Sequence, residues 1–242
     1  MESSDYHGNE NSLSFICCDP MATFQVANEV AEIRYPNQPA NRTKIDASVH
    51  VPALLENFRN SFQSDASHQS KYPHDGLFGY MAYDAVRYFE DVTIPSTEAN
   101  HPDLFYSLYR YVIVVDHFFN EMTLFEHQLQ SDNKESTLRR LEQLIINNRI
   151  TTFQFTQTSE EQSNYTDAEF LQIIEKGKMH CYRGDVFQIV LSRRFTSGFK
   201  GDEFNVYRAM RSINPSPYLF YFDYGNFKLF GSSPEAQIQI KN

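Results

Sequence analysis

The 242-residue sequence has few positive charges and no long apolar run, and each shortage excludes a class of protein. Only 21 Lys and Arg residues stand against 31 Asp and Glu residues, which gives a net charge of −10. A chain of this charge without a basic run is not expected to bind phosphate backbones or anionic lipid. No apolar run approaches the ~20 residues that span a bilayer, and the first residues lack the basic and apolar regions of a secretory signal. We therefore expect neither a nucleic-acid-binding nor a membrane protein.

Cysteine is also scarce, and tryptophan is absent. The three cysteines, two of them the adjacent Cys17 and Cys18, form neither an even disulfide framework nor a metal-ligand spacing. His-x-x-x-His and Cys-x-x-Cys pairs are missing, as are the glycine-rich phosphate loops, so the sequence offers no zinc or phosphate motif. We therefore expect reduced thiols in a cytoplasmic protein.

The sequence does contain enough apolar material for a sizeable core. Hydrophobic residues make up 41% of the chain and aromatic residues 15%, with 15 Tyr and 21 Phe. This composition excludes a wholly disordered chain. The length corresponds to one large domain or two small ones.

Residue patterns in the first half predict short strands and one amphipathic helix. Apolar residues at positions 54, 55, 58 and 62 predict a helix over residues 51–62. Residues 76–83 are apolar, aromatic and punctuated by glycine, which predicts a buried strand that another group approaches closely. Asp84 would then cap a short helix over residues 85–90. The other predicted strands are 13–17 and 22–26, with Asp19-Pro20 as the turn between them, and the pair 111–116 and 121–126.

The second half contains clear signals for helix starts and ends. Thr166 and Glu169 have the spacing of a capping box, and the helix that they open would end at Gly184. Its predicted buried face comprises Phe170, Ile173, Ile174, Gly177 and Cys181. Two further helices are predicted: one with the apolar stripe Leu138, Leu141, Leu144 and Ile145, capped by residues 131–133, and one from Asp202 to before Pro215. Strands are predicted over residues 151–155 and 186–194. Residues 218–224 and 226–230 are predicted to form a hairpin.

The polar stretch 157–164 has no apolar periodicity and predicts a linker. We therefore expect an amino-terminal domain over residues 1–156 and the start of a second domain over residues 165–242. Residues 237–240 alternate polar and apolar side chains, as a half-buried strand does. Because a domain seldom ends on a strand that has just begun, we expect the chain to be a fragment.

Three segments carry candidate chemistry. Gln188, within residues 183–194, is either a buried carboxamide bonded to a neighbour or a neutral donor and acceptor in a pocket wall. Residues 212–220 contain two prolines that fix a corner, which is either structural or a rigid cleft for a small amphiphilic ligand. Residues 231–235 are predicted to form a turn at the end of a hairpin, with the carboxylate of Glu235 in solvent.

Together these segments resemble the chorismate-utilising enzymes, and most closely component I of anthranilate synthase. The shared motifs are Arg-Gly-Asp-Val-Phe-Gln-Ile-Val-Leu-Ser-Arg-Arg at 183–194, Asn-Pro-Ser-Pro-Tyr-Leu-Phe at 214–220 and Gly-Ser-Ser-Pro-Glu at 231–235. Residues 76–84 resemble the family's Gly-x-x-Gly-Tyr-x-x-Tyr-Asp segment, and Glu2-Ser3 resembles the end of its Leu-Leu-Glu-Ser motif. The resemblance covers the whole chain but only about the first half of the family's chain.

The resemblance implies an α+β fold of antiparallel sheets wrapped by helices, truncated at the carboxyl end. It implies conversion of chorismate and ammonia to anthranilate and pyruvate, with Mg²⁺ as the Lewis acid and ammonia supplied from glutamine by an amidotransferase subunit. Gln188 would line the ammonia side of the pocket. Relatives that add water carry a lysine there, so Gln188 argues against isochorismate or salicylate synthase. The family's catalytic histidine and Mg²⁺ glutamates belong to its second half, so this chain alone is expected to be inactive and without metal ligands.

The resemblance also implies feedback inhibition by L-tryptophan. Its implied site comprises Glu2, Ser3, Asn214, Pro215, Pro217, Tyr218, Leu219 and Phe220. Glu2 would bind the ligand's ammonium group, and the proline corner and apolar residues would enclose the indole. Leu219 replaces the usual methionine, a change that conserves volume. Two alternatives stay open: component I of aminodeoxychorismate synthase, against which Asn-Pro-Ser-Pro-Tyr argues, and a non-catalytic tryptophan-sensing module.

Overall fold

A computed structural model describes residues 1–2, 12–64, 70–94, 101–131, 135–147, 153–236, 238 and 240. Its strands are β1 (Leu13–Ala27), β2 (Val30–Arg34), β3 (Asn41–Lys44), β4 (Phe78–Met81), β5 (Leu104–Asp116), β6 (Glu121–Glu126), β7 (Phe155–Gln157), β8 (Gln162–Ser163), β9 (Phe195–Thr196), β10 (Phe199–Gly201), β11 (Tyr218–Asp223) and β12 (Lys228–Ser233). Its α-helices are α1 (Val51–Asn60), α2 (Leu138–Ile146), α3 (Asp167–Arg183) and α4 (Phe204–Ile213). In these residues no helix is both long and apolar enough to cross a membrane.

The described chain forms two compact units, and the larger one is built on a six-stranded antiparallel sheet. This unit comprises Met1–Arg149 and Met210–Asn242, and the other comprises Ile150–Ala209. The sheet has the order β3-β2-β1-β5-β4, with β6 also paired to β5. The α+β fold with antiparallel sheets is therefore confirmed. The compact units do not test the domain limits 1–156 and 165–242, which stay a prediction together with the linker 157–164.

Strand β1 corrects one prediction from the sequence. Residues 13–17 and 22–26 are not separate strands, because β1 runs through Asp19 and Pro20 and pairs with β5 from Leu13 to Val26. The register shifts between Pro20 and Ala22, and Asp19 has a φ of 60°. Asp19 and Pro20 therefore form no turn, and a β-bulge lies directly after Pro20, where the ladder is interrupted.

The core of the larger unit lies where α1 covers the sheet. Helix α1 starts at Val51, as predicted, and its Phe58 is fully buried against the rings of Phe24 and Tyr35. A second cluster of Tyr72, Val112 and Val114 lies along β5. Strands β5 and β6 confirm the predicted pair, although β5 begins earlier, at Leu104.

Strand β4 is confirmed as a site of close backbone approach but is only half-buried. A Cβ atom on Gly79 would lie 1.9 Å from the carbonyl oxygen of Phe105 on β5, so only glycine fits this register. The helix that follows is a 3-10 helix over Tyr83–Tyr88 without a side-chain cap. The predicted capping role of Asp84 is therefore wrong.

Helix α2 lies in the larger unit, and the smaller unit contains α3. Helix α2 begins at Leu138 after Thr137 and buries none of its residues; two of the residues predicted to cap it, Asp132 and Asn133, lie outside the described residues. The capping box at the start of α3 is confirmed by two hydrogen bonds. Thr166 Oγ1 accepts one from the backbone amide of Glu169, and the Glu169 carboxylate accepts the other from the backbone amide of Thr166. The helix ends at Gly184 with a φ of 77°, as predicted.

Candidate functional site

Two residues at the start of the described chain join the large sheet to the β11–β12 hairpin. Met1 exchanges two hydrogen bonds with Phe15 on β1, at N···O distances of 2.9 and 2.7 Å. Glu2 exchanges two more with Leu219 on β11, at 2.8 and 2.9 Å. The backbone of Met1 and Glu2 therefore bridges β1 and β11. It also brings Glu2 to the segment of the proline corner, although the two are far apart in sequence.

The Glu2 carboxylate lies beside a cation from α4. Its Oε2 atom is 3.4 Å from Nε of Arg211, and its side chain is only 17% exposed. A carboxylate in this position is suited to an ammonium or guanidinium group. Arg211 carried no signal in the sequence that would have identified it, because it belongs to none of the three motifs.

The proline corner follows directly from the end of α4. The amide of Asn214 donates to the carbonyl of Met210 at 2.8 Å, which continues the helical pattern up to Pro215. Ser232 of β12 donates its hydroxyl to the Asn214 carbonyl at 2.7 Å. This bond fixes the corner against the hairpin and gives Ser232 a role that the sequence did not reveal. Asn214 and Pro215 are exposed, and Pro217 is half-buried.

The hairpin itself confirms the predicted pairing of β11 with β12. Leu219 is buried opposite Ser232, and Phe220 is opposite Gly231. A Cβ atom on Gly231 would lie 2.5 Å from the ring of Phe220, so the glycine of the Gly-Ser-Ser-Pro-Glu motif lets that ring lie over the backbone. The predicted turn at residues 231–235 is therefore partly wrong, because Gly231, Ser232 and Ser233 belong to β12. Glu235 is exposed, as expected.

The turn of the hairpin packs on the large sheet through Tyr224. Its ring stacks on Phe105 of β5 with centroids 4.3 Å apart and meets Tyr80 of β4 at 5.7 Å. Burial raises the pKa of the Tyr224 hydroxyl, and burial with the nearby carboxylate of Asp103 raises that of Tyr80 to about 12. Both hydroxyls therefore stay protonated at neutral pH. The hairpin is held at one end by Glu2 and at the other by Tyr224.

The described residues bring together part of the predicted tryptophan site. Glu2 and Leu219 meet through their backbones, and the residues of the corner and hairpin follow one another along α4 and β11. Ser3 lies outside the described residues. The grouping does not test ligand binding, so the site stays a prediction.

Gln188 lies in the smaller unit, and two expectations about it are wrong. Residues 186–194 form no strand, and the Gln188 side chain is exposed rather than buried. The reason is that a strand requires a backbone partner, and no described residue supplies one for residues 186–192. Its place in a pocket wall stays a prediction.

Three further predictions differ from the structure or fall outside it. Cys181 of α3 is exposed, so the buried face of this helix ends at Gly177. Residues 151 and 152 of the predicted strand are not described, and strand β7 starts only at Phe155. Ile238 and Ile240 are exposed and not in a strand, while Gln237 and Gln239 are not described.

The acidic and histidine side chains do not form a metal centre in the described chain. Among the residues that the structure describes, no group of three or more His, Cys, Asp or Glu side chains could hold a metal ion. Binding of Mg²⁺ by the family's later residues stays a prediction.

Comparison with known proteins identifies relatives of this chain. A sequence model of the family described as chorismate binding enzyme matches residues 5–242. Anthranilate synthase component 1 of Aquifex aeolicus is 34% identical over 178 residues, which are 69% of this chain and 36% of the relative. The chloroplastic alpha subunit 1 of anthranilate synthase from Arabidopsis thaliana is 34% identical over 191 residues, covering 69% of this chain and 32% of the relative.

A solved structure shares the fold. Anthranilate synthase component I from Streptococcus pneumoniae matches with a TM-score of 0.69 and 24% identity, covering 98% of this chain and 53% of that chain. The chain thus spans about a third of the length of the curated relatives and about half of the solved structure. Because the family match includes nearly every residue, from the strands of the large sheet to the hairpin, the chain belongs to the chorismate binding enzyme family.

Proposed function

We propose that this chain is the amino-terminal part of an anthranilate synthase component I and that its larger unit binds L-tryptophan as a feedback inhibitor. The observation that carries the regulatory part is the pairing of Glu2 with Leu219, which brings a carboxylate to the hairpin of the Asn-Pro-Ser-Pro-Tyr motif. The names of the relatives support the enzymatic part. In the complete protein, chorismate and ammonia would give anthranilate and pyruvate, with ammonia from a glutamine amidotransferase subunit.

Tryptophan would bind through two kinds of interaction. Its ammonium group would form a charge-assisted hydrogen bond with Glu2. Its indole would bury apolar surface at Leu219 and Phe220, which stabilises a complex by about 25 cal/mol per Å² of apolar area. Phenylalanine and chorismate would bind less well, because the first has a smaller ring and the second lacks an ammonium group.

Calorimetry on the 242-residue chain tests this site. We expect heat of binding with tryptophan that is lost in Glu2→Gln, because the amide cannot form an ion pair with the ligand. The variant Glu135→Gln, at an exposed position of the same unit, should bind tryptophan as the parent does. Equal heats for tryptophan and phenylalanine, or unchanged binding by Glu2→Gln, would remove the tryptophan site from the proposal.

The enzymatic part predicts that the 242-residue chain alone makes no anthranilate. Its sequence contains neither the Pro-Ile-Ala-Gly-Thr loop nor the later motifs in which the resemblance places the histidine and the Mg²⁺ ligands. Mg²⁺ would bind in the part of the relatives that this chain does not span. The assay supplies chorismate, Mg²⁺ and ammonium and records anthranilate fluorescence, and turnover above the uncatalysed rate would contradict the prediction.

A non-catalytic tryptophan-sensing module remains the second candidate. It is favoured by the position of Glu2 and the proline corner within one compact unit. Gln188 separates the candidates in a protein extended by the missing part of a relative. If that protein makes anthranilate and Gln188→Lys lowers the rate, the enzymatic assignment holds; if it binds tryptophan but makes no anthranilate, the sensing module holds.

A further inference from the structure

The larger unit contains a cleft beside α1, here named the α1 cleft. Its volume is about 380 Å³, which is in the range of sites for small molecules. The residues that line it come from separate parts of the chain, and all of them belong to the larger unit. Those that carry the argument are Leu55, Glu56 and Arg59 of α1, Leu77, Phe89 and Tyr106.

The α1 cleft lies on the face of the large sheet that is opposite the β11–β12 hairpin. Tyr106 packs on the core cluster that contains Phe58 of α1, whereas its neighbour Phe105 stacks on Tyr224 of the hairpin. Successive side chains of a strand point to opposite faces of the sheet. The α1 cleft is therefore separate from the proposed tryptophan site at Glu2.

Apolar side chains form most of the wall of the α1 cleft. Leu55 and Leu77 are half-buried and pack on the same core cluster, which holds them in place. Phe89, directly after the 3-10 helix, keeps 42% of its surface exposed. Together with Pro52, three of the four apolar lining residues are aliphatic. The wall is therefore suited to a small aliphatic group.

Tyr106 adds a polar group to the α1 cleft. Among the described residues, none forms a hydrogen bond with its hydroxyl. Burial raises the pKa of this hydroxyl, so it stays protonated at neutral pH. The hydroxyl can therefore donate a hydrogen bond to a ligand and accept one from it.

Glu56 and Arg59 place one negative and one positive charge at the α1 cleft. They lie three residues apart on the same side of α1, with Glu56 Oε1 3.9 Å from Arg59 Nη2. This distance is too long for a hydrogen bond, and both side chains are 66% exposed. Arg59 also donates to the side-chain oxygen of Asn60 at 3.1 Å, but its five N–H groups leave donors for a ligand. Each charge can therefore accept an opposite charge from a ligand.

The ligand that matches these features has two opposite charges close together and an apolar side chain. A free α-amino acid carries an ammonium and a carboxylate group on the same carbon atom. Its ammonium group would bind Glu56, and its carboxylate would bind Arg59, each through a charge-assisted hydrogen bond. A simple anion would be repelled by Glu56 and a simple cation by Arg59.

We propose that the α1 cleft is a second amino-acid site of this chain, which takes a free α-amino acid with a branched aliphatic side chain. The ligand's charges would face Glu56 and Arg59, and its side chain would lie against Leu55, Leu77 and Phe89. The proposal depends neither on anthranilate synthesis nor on tryptophan binding at Glu2.

A titration of the 242-residue chain followed by methyl NMR tests the proposal. The probe is L-leucine, and we expect saturable shifts of the methyl signals of Leu55 and Leu77. 4-Methylpentanoate lacks the ammonium group of leucine and 3-methylbutylamine lacks its carboxylate, so each should bind more weakly by about 5- to 10-fold. Glu56→Gln and Arg59→Gln should each weaken L-leucine binding by the same factor, as for the loss of one charge-assisted hydrogen bond at an exposed position.

The matched controls are Glu142→Gln and Arg139→Gln, which change an exposed acid and an exposed base three residues apart on α2. Each should change the affinity for L-leucine by less than about 2-fold. The absence of saturable shifts, equal affinity for L-leucine and 4-methylpentanoate, or full binding by both α1 variants would overturn the proposal. Stronger binding of L-tryptophan than of L-leucine in this cleft would overturn the choice of an aliphatic side chain. Loss of L-leucine binding in Glu2→Gln would also overturn the proposal, because the ligand would then occupy the proposed tryptophan site.

Discussion

At the scale of single residues, the candidate site depends on contacts that are short and specific. Glu2 is placed by its backbone and faces Arg211, while Ser232 fixes the carbonyl of Asn214. A side chain at Gly231 would displace the ring of Phe220, which lies 2.5 Å from where the Cβ atom would be. The chemistry of the site is thus set by a few neighbours that are distant in sequence.

The pairing of Arg211 with Glu2 predicts competition with a cationic ligand. The Arg211 guanidinium lies 3.4 Å from the Glu2 carboxylate. An ammonium group that binds Glu2 must therefore either displace this guanidinium or share the carboxylate with it. Exposed pairs contribute roughly 0.2–1 kcal/mol, so Arg211→Ala should tighten tryptophan binding by up to about 5-fold in calorimetry. Arg139→Ala on the exposed surface of α2 should leave the affinity unchanged. Weaker binding by Arg211→Ala would show that the arginine holds the ligand instead.

The thiol of Cys17 is expected to react slowly. Burial raises its pKa to about 12 from the ordinary 9.0, and the thiolate is the reactive form. At pH 8 the thiolate fraction, and with it the alkylation rate, should be lower than that of an ordinary thiol by about three powers of ten. The rate should still rise with pH above pH 10, where the rate of an ordinary thiol has almost levelled off. Peptide mass spectrometry after iodoacetamide treatment measures it, with Cys181 as the exposed comparison. Equal labelling of the two residues in the folded protein would contradict this prediction.

At the scale of elements, the helices were predicted better than the sheet. Thr166, Glu169 and Gly184 act within α3 itself, so local spacing was sufficient to place its ends. Strands β2 and β3 were missed, because the first follows a turn at Asn28 and Glu29 with positive φ and the second is polar. Residues 186–194 were predicted as a strand from their apolar residues, but pairing depends on a partner that the local sequence does not specify.

Within the sheet, Gly79 predicts a sharp steric limit on β4. Gly79→Ala would bring a methyl group to 1.9 Å from the Phe105 carbonyl, so β4 must separate from β5. We expect the free energy of unfolding of the larger unit to fall by about 1–3 kcal/mol, the usual cost of overpacking, measured by urea denaturation. Gly76→Ala is the control, because a Cβ atom there has no neighbour within 4 Å. A Gly79→Ala midpoint equal to that of Gly76→Ala would disprove the close approach.

At the scale of the whole molecule, the two units have unequal cores. The larger unit buries Phe24, Phe58, Leu104 and Val114 completely, whereas the smaller one buries only Gly177 and Tyr207 among its described residues. The family and its α+β class could be predicted from motifs, because the motifs retain their order along the chain. The link between Glu2 and Leu219 could not be located by periodicity, because it joins two distant segments through backbone atoms alone.

This inequality predicts different hydrogen-exchange protection in the two units. Amides of β1 and β5 should exchange at the slowest rates in the chain, since they lie in a paired and buried ladder. Amides of α3 should be less protected by a factor on the order of 100, because little apolar area is released when that helix opens. Exchange followed by mass spectrometry on the 242-residue chain measures both. Equal protection would mean that the smaller unit is stabilised independently of further partners.

The bridge formed by Met1 and Glu2 also has a consequence for the order of events during synthesis. Leu219 follows Glu2 by 217 residues, which a ribosome adds in about 10–40 s at ordinary rates. During that time the inner strands of the large sheet can already pair, while Glu2 has no partner on β11. Closing so long a loop costs roughly 5 kcal/mol of chain entropy, and a preformed sheet that holds Met1 beside Phe15 lowers this cost. The Glu2 carboxylate is therefore expected to reach its position late, and under the proposed function only a chain synthesised beyond the hairpin would bind tryptophan.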